Sequence, residues 1–332
     1  MEKYSVIIPV YNRTDEVEDL LRSLAAQTAR NFETIIVEDG STLPCREAVE
    51  RYAGILDVKY YFKPNEGRSI ARNYGMERAT GSYFIFFDSD CVIPADYFEK
   101  LNRMSADRPL SCFGGPDAAD ASFTTTQKAI NHSMTSFLTT GGIRGGKVRL
   151  EKFTPRTFNM GFSRAVYEKV GGFREMFSED IDMSTRIRLA GFDIGLYPDL
   201  PVYHKRRVDF RKFARQVYVF GMSRITLKLL YPGSLKAVHC LPALFVLAVA
   251  AMILLSIFVS PWWLLPLGIY LVAIFLSALA ATRSLEIAAK TVPASIIQLG
   301  GYGCGFIKAY FIKILLGKGR DEAEEVALRK GK

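Results

Sequence analysis

Paired cysteines, internal repeats and, over one long stretch, charge of either sign are missing from this 332-residue sequence. The five cysteines, Cys45, Cys91, Cys112, Cys240 and Cys304, show no Cys-x-x-Cys spacing. That argues against a zinc knuckle or a disulfide framework and fits a reducing, cytosolic setting. No low-complexity tract occurs. The opening MEKYSVIIPVYNR carries Glu2 and an apolar run too short for a secretory signal, so the first domain is not expected to be exported. From Ala237 to Thr282 there is no Asp, Glu, Lys or Arg. Uncharged runs of this length are rare in soluble domains, and this one has room for two membrane spans of about 20 residues each. The turn between them is expected at Ser260 and Pro261, with Trp262 and Trp263 at a membrane interface.

What is present is apolar and basic: 49% hydrophobic residues and a formal net charge of +9. Lys205, Arg206, Arg207, Arg211, Lys212 and Arg215 precede the uncharged run, and Lys308, Lys313, Lys318 and Arg320 follow it. Basic residues flanking spans favour the cytoplasmic side and anionic lipid headgroups. Nucleic acid is the rival partner for such charge, but no recognised binding motif is interleaved with it. With residues 1–236 in the cytosol, a hairpin returns Arg283 and Lys290 to the same side. The stretch Thr291 to Leu316 is apolar but holds Pro293, glycines at 300, 301, 303 and 305, and two lysines. A third span would push the lysine-rich tail outside, so an interfacial or re-entrant segment is expected there.

The first ninety or so residues alternate strand and helix. Ser5 to Val10, Phe32 to Val37, Val58 to Phe62 and Tyr83 to Phe87 read as buried strands of a parallel sheet. Asp15 with Glu18 reads as a capping box opening the first helix, and Ser69 to Ala79 reads as another helix. Each strand ends in polar residues, and in open α/β sheets ligands collect outside those ends. The run FFDSD places Asp88 and Asp90 at one such end. Two close carboxylates repel unless a cation, a proton or an arginine lies between them. A turn opened by Asp88 and Ser89 fits the same residues. Asp39 is a candidate to bond a base or ribose, Arg68 and Arg72 to meet phosphate; Asp39-Gly40 also fits a turn, and Arg72 a solvated helix charge. Further on, Glu179, Asp180 and Asp182 open a helical pattern, where the helix dipole alone would favour them. Between these regions, glycines at 114, 115, 141, 142, 145 and 146 frame a polar stretch expected to be mobile.

SVIIPVYNR, VEDGS, NEGRSIARNYG, FFDSD, NMGFSR, GGFREMFSEDIDMSTRIRLAG and a later YH, in this order over about residues 4–221, resemble the inverting family-2 glycosyltransferases of the GT-A fold. The resemblance implies an α/β fold with a mostly parallel sheet, a UDP- or GDP-sugar donor, and a divalent metal, Mn2+ or Mg2+. It implies donor contacts from Pro9, Tyr11, Asn12, Arg13, Asp39, Asn65, Gly67, Arg68, Arg72, Asp88 and Ser89. Metal ligands would be Asp90, Asp88 and His204. Asp180 would be the catalytic base, with Glu179 next in line. The Gln-x-x-Arg-Trp signature of processive synthases is absent, which favours transfer of a single sugar. The expected organisation is a cytosolic catalytic domain over 1–225, a transmembrane hairpin over 226–282, and an interfacial segment with a basic tail over 283–332. The expected acceptor is a lipid-linked glycan or glycolipid near the bilayer, in cell-surface polysaccharide synthesis. The alternatives are a polyprenyl-phosphate sugar synthase and a non-catalytic nucleotide-sugar-binding membrane subunit; a nucleic-acid binder is disfavoured.

Overall fold

The computed structural model describes residues 2–118, 123–140, 153–204 and 209–319. The glycines expected to frame a mobile stretch at 141, 142, 145 and 146 lie outside the described residues. Strands run β1 Tyr4–Val10, β2 Phe32–Asp39, β3 Val58–Lys63, β4 Tyr83–Phe86, β5 Cys91–Val92, β6 Cys112–Gly114, β7 Asp117–Ala118, β8 Met160–Ser163, β9 Ile194–Leu196 and β10 Val202–His204. Helices run α1 Thr14–Ala25, α2 Arg46–Glu50, α3 Arg68–Arg78, α4 Tyr97–Asp107, α5 Thr125–Thr135, α6 Phe137–Thr140, α7 Arg164–Val170, α8 Glu179–Leu189, α9 Phe210–Leu230, α10 Ala237–Phe258, α11 Leu265–Thr282 and α12 Leu285–Ala309. The described residues divide into two compact units, 2–118 with 153–204, and 123–140 with 209–319.

The first unit is a mixed, mostly parallel α/β sheet in the order β3-β2-β1-β4-β8-β6-β9, with a small second sheet β5-β10-β7. Strands β3, β2, β1 and β4 are parallel to their neighbours, while β8 runs antiparallel to both β4 and β6. Successive strand side chains point to opposite faces. Val6, Ile8 and Ile85 therefore join Leu20, Leu24, Phe98 and Leu101 of α1 and α4 on one face. Ile7, Phe84 and Phe86 join Ala71, Met76, Met183 and Ile187 of α3 and α8 on the other. Helices on both faces bury every residue of β2, which is why the central strands read as nearly continuous apolar runs.

Two local expectations change. Helix α1 starts at Thr14, and no side chain caps it; Arg13 stands at the cap position and pairs with Glu16 at 2.5 Å. Asp15 lies in the first turn, where the dipole favours it without a capping box. Strands β2 and β3 run further than their apolar residues, because the ladder continues through the pair Asp39 and Lys63.

At the other end of β2, Glu33 is fully buried, and its carboxylate accepts bonds from Ser5 Oγ (2.7 Å), Thr80 N–H (2.6 Å), Thr80 Oγ1 (2.8 Å) and Lys59 Nζ (2.6 Å). Burial pushes this carboxyl up, but those donors outweigh it and bring it down to about 2. A depressed carboxyl stabilises the fold above its unfolded pKa, and that contribution disappears as pH falls through the folded one. The melting-temperature gap between wild type and Glu33→Gln should therefore be wide at pH 6, reflecting about 2 to 3 kcal/mol, and should narrow steadily from pH 4.5 toward about pH 2.

In the second unit, α9 and α12 lie along each other. A Cβ at Gly305 would sit 2.1 Å from the Tyr218 carbonyl, one at Gly221 would sit 2.0 Å from the Tyr302 carbonyl, and one at Gly303 would sit 2.3 Å from the Pro242 carbonyl of α10. Small residues let helix backbones approach this closely. Of the glycines in the segment expected to be interfacial or re-entrant, Gly301, Gly303 and Gly305 face neighbouring helices; all lie in one continuous helix, α12, which runs through Pro293 and passes into a wider turn at Tyr310–Leu315. The boundary expected at residue 225 lies inside α9. Helix α5 joins the same bundle through Thr125, which bonds Glu286 and Lys290 of α12 at 2.7 and 2.6 Å.

Ala237–Phe258 and Pro261–Thr282 are long and apolar enough to cross a membrane, and only 6% and 11% of their most apolar stretches are buried within the chain. A soluble core helix would be mostly buried. Between them a tight turn spans Pro261–Leu264, with Trp262 76% exposed. Gly305→Ala should lower the melting temperature in detergent through a backbone collision worth about 1 to 3 kcal/mol. Gly300→Ala, whose Cβ meets nothing within 4 Å, should leave it unchanged or raise it.

Candidate active site

The C-terminal ends of β1, β2, β3 and β4 supply the polar residues of the first unit. Asp39, 3% exposed, ends β2. Its carboxylate accepts bonds from Lys63 Nζ (2.8 Å) and from the N–H groups of Glu66 (3.0 Å) and Gly67 (2.8 Å). Asn65 Nδ2 donates to the Asp39 carbonyl at 2.8 Å. Asp39 thus fixes the loop Asn65 to Gly67 that leads into α3. Gly40 is required beneath this loop: its φ is +72°, and a Cβ there would meet the Asn65 nitrogen at 2.5 Å.

Asn12, in the left-handed region at φ +52°, ties the loop after β1 to the loop after β2. Its N–H donates to Ser41 Oγ at 2.7 Å, and its Oδ1 accepts from Thr42 N–H at 2.9 Å. Ser41 in turn donates to buried Glu38. Tyr11 is 51% exposed beside it, Pro9 lies within β1, and Arg13 feels the charges of Asp90 and Asp88.

The acidic end of β4 is built around an arginine. Arg72 is 1% exposed; its Nη2 donates to Asp88 Oδ1 at 2.7 Å and its Nη1 to Glu179 Oε1 at 3.0 Å. The other Glu179 oxygen accepts from Arg68 Nη2 at 2.9 Å. Arg72 was expected at phosphate, or as a solvated helix charge; its burial between two carboxylates makes it a bridge from β4 to α8. Arg68, with its side chain 54% exposed, is the guanidinium open to solvent. The turn reading of FFDSD also holds, since Cys91 N–H closes a turn onto the Asp88 carbonyl at 3.1 Å with Ser89 and Asp90 within it.

Asp180 follows Glu179 at the start of α8. It accepts from Arg156 Nη1 at 3.0 Å and from the Ile181 N–H at 2.8 Å. Burial alone would push its carboxyl up, but the charge and hydrogen bond of Arg156, the Ile181 N–H and the charge of Arg68 hold it below the usual range, so it is ionised at neutral pH. Ser178, immediately before the helix, is held at φ +64°, and such strain in a non-glycine residue collects at functional sites. Asp182 differs sharply from Asp180: it is fully buried and paired with Arg186 Nε at 2.9 Å and Arg174 Nη1 at 3.2 Å.

Hard carboxylate oxygens at one strand end suit a hard divalent cation. Strand β10 pairs antiparallel with β5 so that His204 stands opposite Cys91, the residue after Asp90. The His204 side chain itself lies outside the described residues. Asp88 and Asp90 are the carboxylates expected to hold a cation; one oxygen of Asp88 is taken by Arg72, and the described side chains hold no cluster of three or more His, Cys, Asp or Glu.

Sequence reasoning missed Arg156, Lys63, Ser178 and the pair Arg174 and Arg186. Arg156 lies three residues before the motif NMGFSR, and nothing in spacing marked it as the partner of Asp180.

This strand order, with acidic strand ends facing the start of a helix that carries a second acidic pair, defines a GT-A-like α/β fold. A solved structure, the mannosyltransferase PcManGT from Pyrobaculum calidifontis in complex with GDP-Man and Mn2+, matches it with a TM-score of 0.58, covering 94% of this chain and 88% of that one at 18% identity. Residues 5–171 match the family Glycosyl transferase family 2, and the chain belongs to that family. An uncharacterized glycosyltransferase of Rickettsia conorii, RC0461, is 42% identical over 97 residues, which is 29% of this chain and 16% of that protein. The putative teichuronic acid biosynthesis glycosyltransferase TuaG of Bacillus subtilis is 40% identical over 106 residues, 31% of this chain and 42% of that protein. The matched segment thus spans less than half the length of either relative.

The two acids of α8 should separate in stability. Asp182→Asn strands two guanidinium groups around a buried site and should cost about 2 to 4 kcal/mol. Asp180→Asn, at the edge of the crevice, should cost about 1 kcal/mol or less. Melting curves of the two variants beside wild type check this.

Proposed function

We propose that this chain transfers a single sugar, with inversion, from a UDP- or GDP-sugar to a hydroxyl of a membrane-proximal acceptor, a lipid-linked glycan or glycolipid of cell-surface polysaccharide synthesis. The observation that carries this reading is the ion-pair ladder joining Asp88, at the end of β4, to Glu179 beside Asp180 at the start of α8. It sets a leaving-group side and an acceptor side in one rigid frame. Family membership supports sugar transfer. The two exposed apolar helices support membrane anchoring, with the catalytic unit in the cytoplasm.

In this reading the nucleobase sits beside Asp39 and Tyr11, the loop Asn65 to Gly67 lies under the ribose, and Arg68 faces the diphosphate. Asp88 and Asp90, with His204, would hold Mn2+ or Mg2+, which when bound neutralises charge on the departing diphosphate. The solved mannosyltransferase carries GDP-Man and Mn2+, in keeping with that donor class. Asp180 accepts the proton of the acceptor hydroxyl. The acceptor oxygen bonds to the anomeric carbon as the bond to the diphosphate oxygen breaks on the opposite side. One displacement with one base inverts the configuration, and no enzyme nucleophile is needed. Glu179 has both oxygens on arginines and serves as a positioning residue. The Arg156 pair keeps Asp180 ionised and aimed.

Asp180→Asn should retain nucleoside-diphosphate binding while single-turnover transfer of radiolabelled sugar falls by roughly 10² to 10⁴. Normal transfer by this variant would place the base elsewhere. Full wild-type activity in excess chelator would remove the cation from the reaction.

A further inference from the structure

The ladder Asp88, Arg72, Glu179, Arg68 alternates in sign, and its rungs differ in exposure. Arg72 and Glu179 are buried, at 1% and 3% for their side chains, whereas Arg68 is 54% exposed. Arg68 stands at the first position of α3, directly after Gly67, in the loop whose amides Asp39 holds. Its guanidinium bonds one oxygen of Glu179, and the other oxygen is already taken by Arg72. Asp88 and Asp180 also act on Arg68 electrostatically. Among the described residues, Arg68 is thus a cation at the strand-end crevice tethered by a single bond and free to turn toward solvent.

A diphosphate is a stronger partner for a guanidinium than one carboxylate oxygen, because it offers more charge and paired acceptor oxygens in fork geometry. Glu179 loses little when Arg68 leaves, since Arg72 remains on it at 3.0 Å. We propose that Glu179 is a built-in competitor for the donor's diphosphate: it parks Arg68 in the donor-free protein and hands it over when a nucleoside diphosphate arrives. This rests on the glycosyltransferase reading, in which Arg68 faces the diphosphate, and adds to it a resident carboxylate, Glu179, that sets the affinity of that contact.

The test is calorimetric titration of the full chain in detergent with UDP and with GDP, each with Mn2+, and with the corresponding nucleosides. Arg68→Gln should weaken diphosphate binding about tenfold while leaving nucleoside binding unchanged. Glu179→Gln should tighten diphosphate binding about two- to fivefold, the range expected for releasing one partly exposed ion pair. In the Arg68→Gln background, Glu179→Gln should have no further effect, because the competition needs both partners. A Glu179→Gln gain that persists in that background would reduce the effect to generic charge and overturn the proposal. Weaker or unchanged binding by Glu179→Gln with a normal melting temperature would overturn it as well. If Glu179→Gln does not fold, the Arg68→Gln titrations decide alone: equal losses for diphosphate and nucleoside refute it. Wild type that binds neither diphosphate would instead bring down the glycosyltransferase reading itself.

Discussion

The site depends on a buried arginine. Arg72 is almost wholly enclosed, and carboxylates stand at two of its nitrogens. An unpaired guanidinium in that position would carry a desolvation cost of several kcal/mol. Its presence therefore fixes the other two groups: Asp88 must project from the end of β4, and Glu179 must open α8 at the matching distance. The segment from Gly171 to Ser178 is pinned to the same helix α3 from which Arg72 comes. Asn73 holds both the N–H and the carbonyl of Phe173, at 2.8 and 2.9 Å. Adjacent residues of one helix, Arg72 and Asn73, thus place the acidic end of α8 by charge and by backbone bonding together.

Much of the frame was legible. Apolar blocks such as Tyr83 to Phe86 can satisfy their surroundings only inside a sheet, and an acid directly after such a block can only stand at its end. That logic located Asp39, Asp88 and Asp90. It failed where depth decides. Helical spacing turns Asp182 away from Asp180, but it does not report that Asp182 is sealed between Arg174 and Arg186. Arg72 read either as a phosphate contact or as a solvated helix charge, because sequence spacing does not report what lies above a helix face. Arg156 lies far from α8 in the chain, and its pairing with Asp180 arises only when the sheet brings the two segments together. The glycines of α12 misled for a related reason. In an isolated segment they weaken a helix, whereas against α9 and α10 they permit contacts no larger residue allows.

Strain is concentrated where the site is assembled. Among the described residues, three non-glycine residues have positive φ, and Asn12 and Ser178 are two of them. Asn12 recovers part of the cost by bonding the β2 loop with both backbone and side chain. Both residues turn the chain sharply at the exit of a strand or the entrance of a helix; after Ser178 the next side chain, Glu179, meets Arg68 and Arg72, and after Asn12 the next, Arg13, meets Glu16. A relaxed backbone at either place would aim Arg13 or Glu179 differently.

The buried lysine at the end of β3 has a consequence for how the pocket responds to its medium. Lys63 pairs with Asp39 at 2.8 Å and with Glu66 at 2.7 Å within the protein, so the charge at the end proposed for the nucleobase is met largely by internal partners. Ions in solution have little there to screen. The opposite end is also paired, through the ladder from Asp88 to Arg68, but its outer guanidinium faces solvent. On the proposed reading, the ionic-strength dependence of donor binding would therefore arise at the exposed guanidinium, and discrimination at the Asp39 end would rest on shape and hydrogen-bond direction.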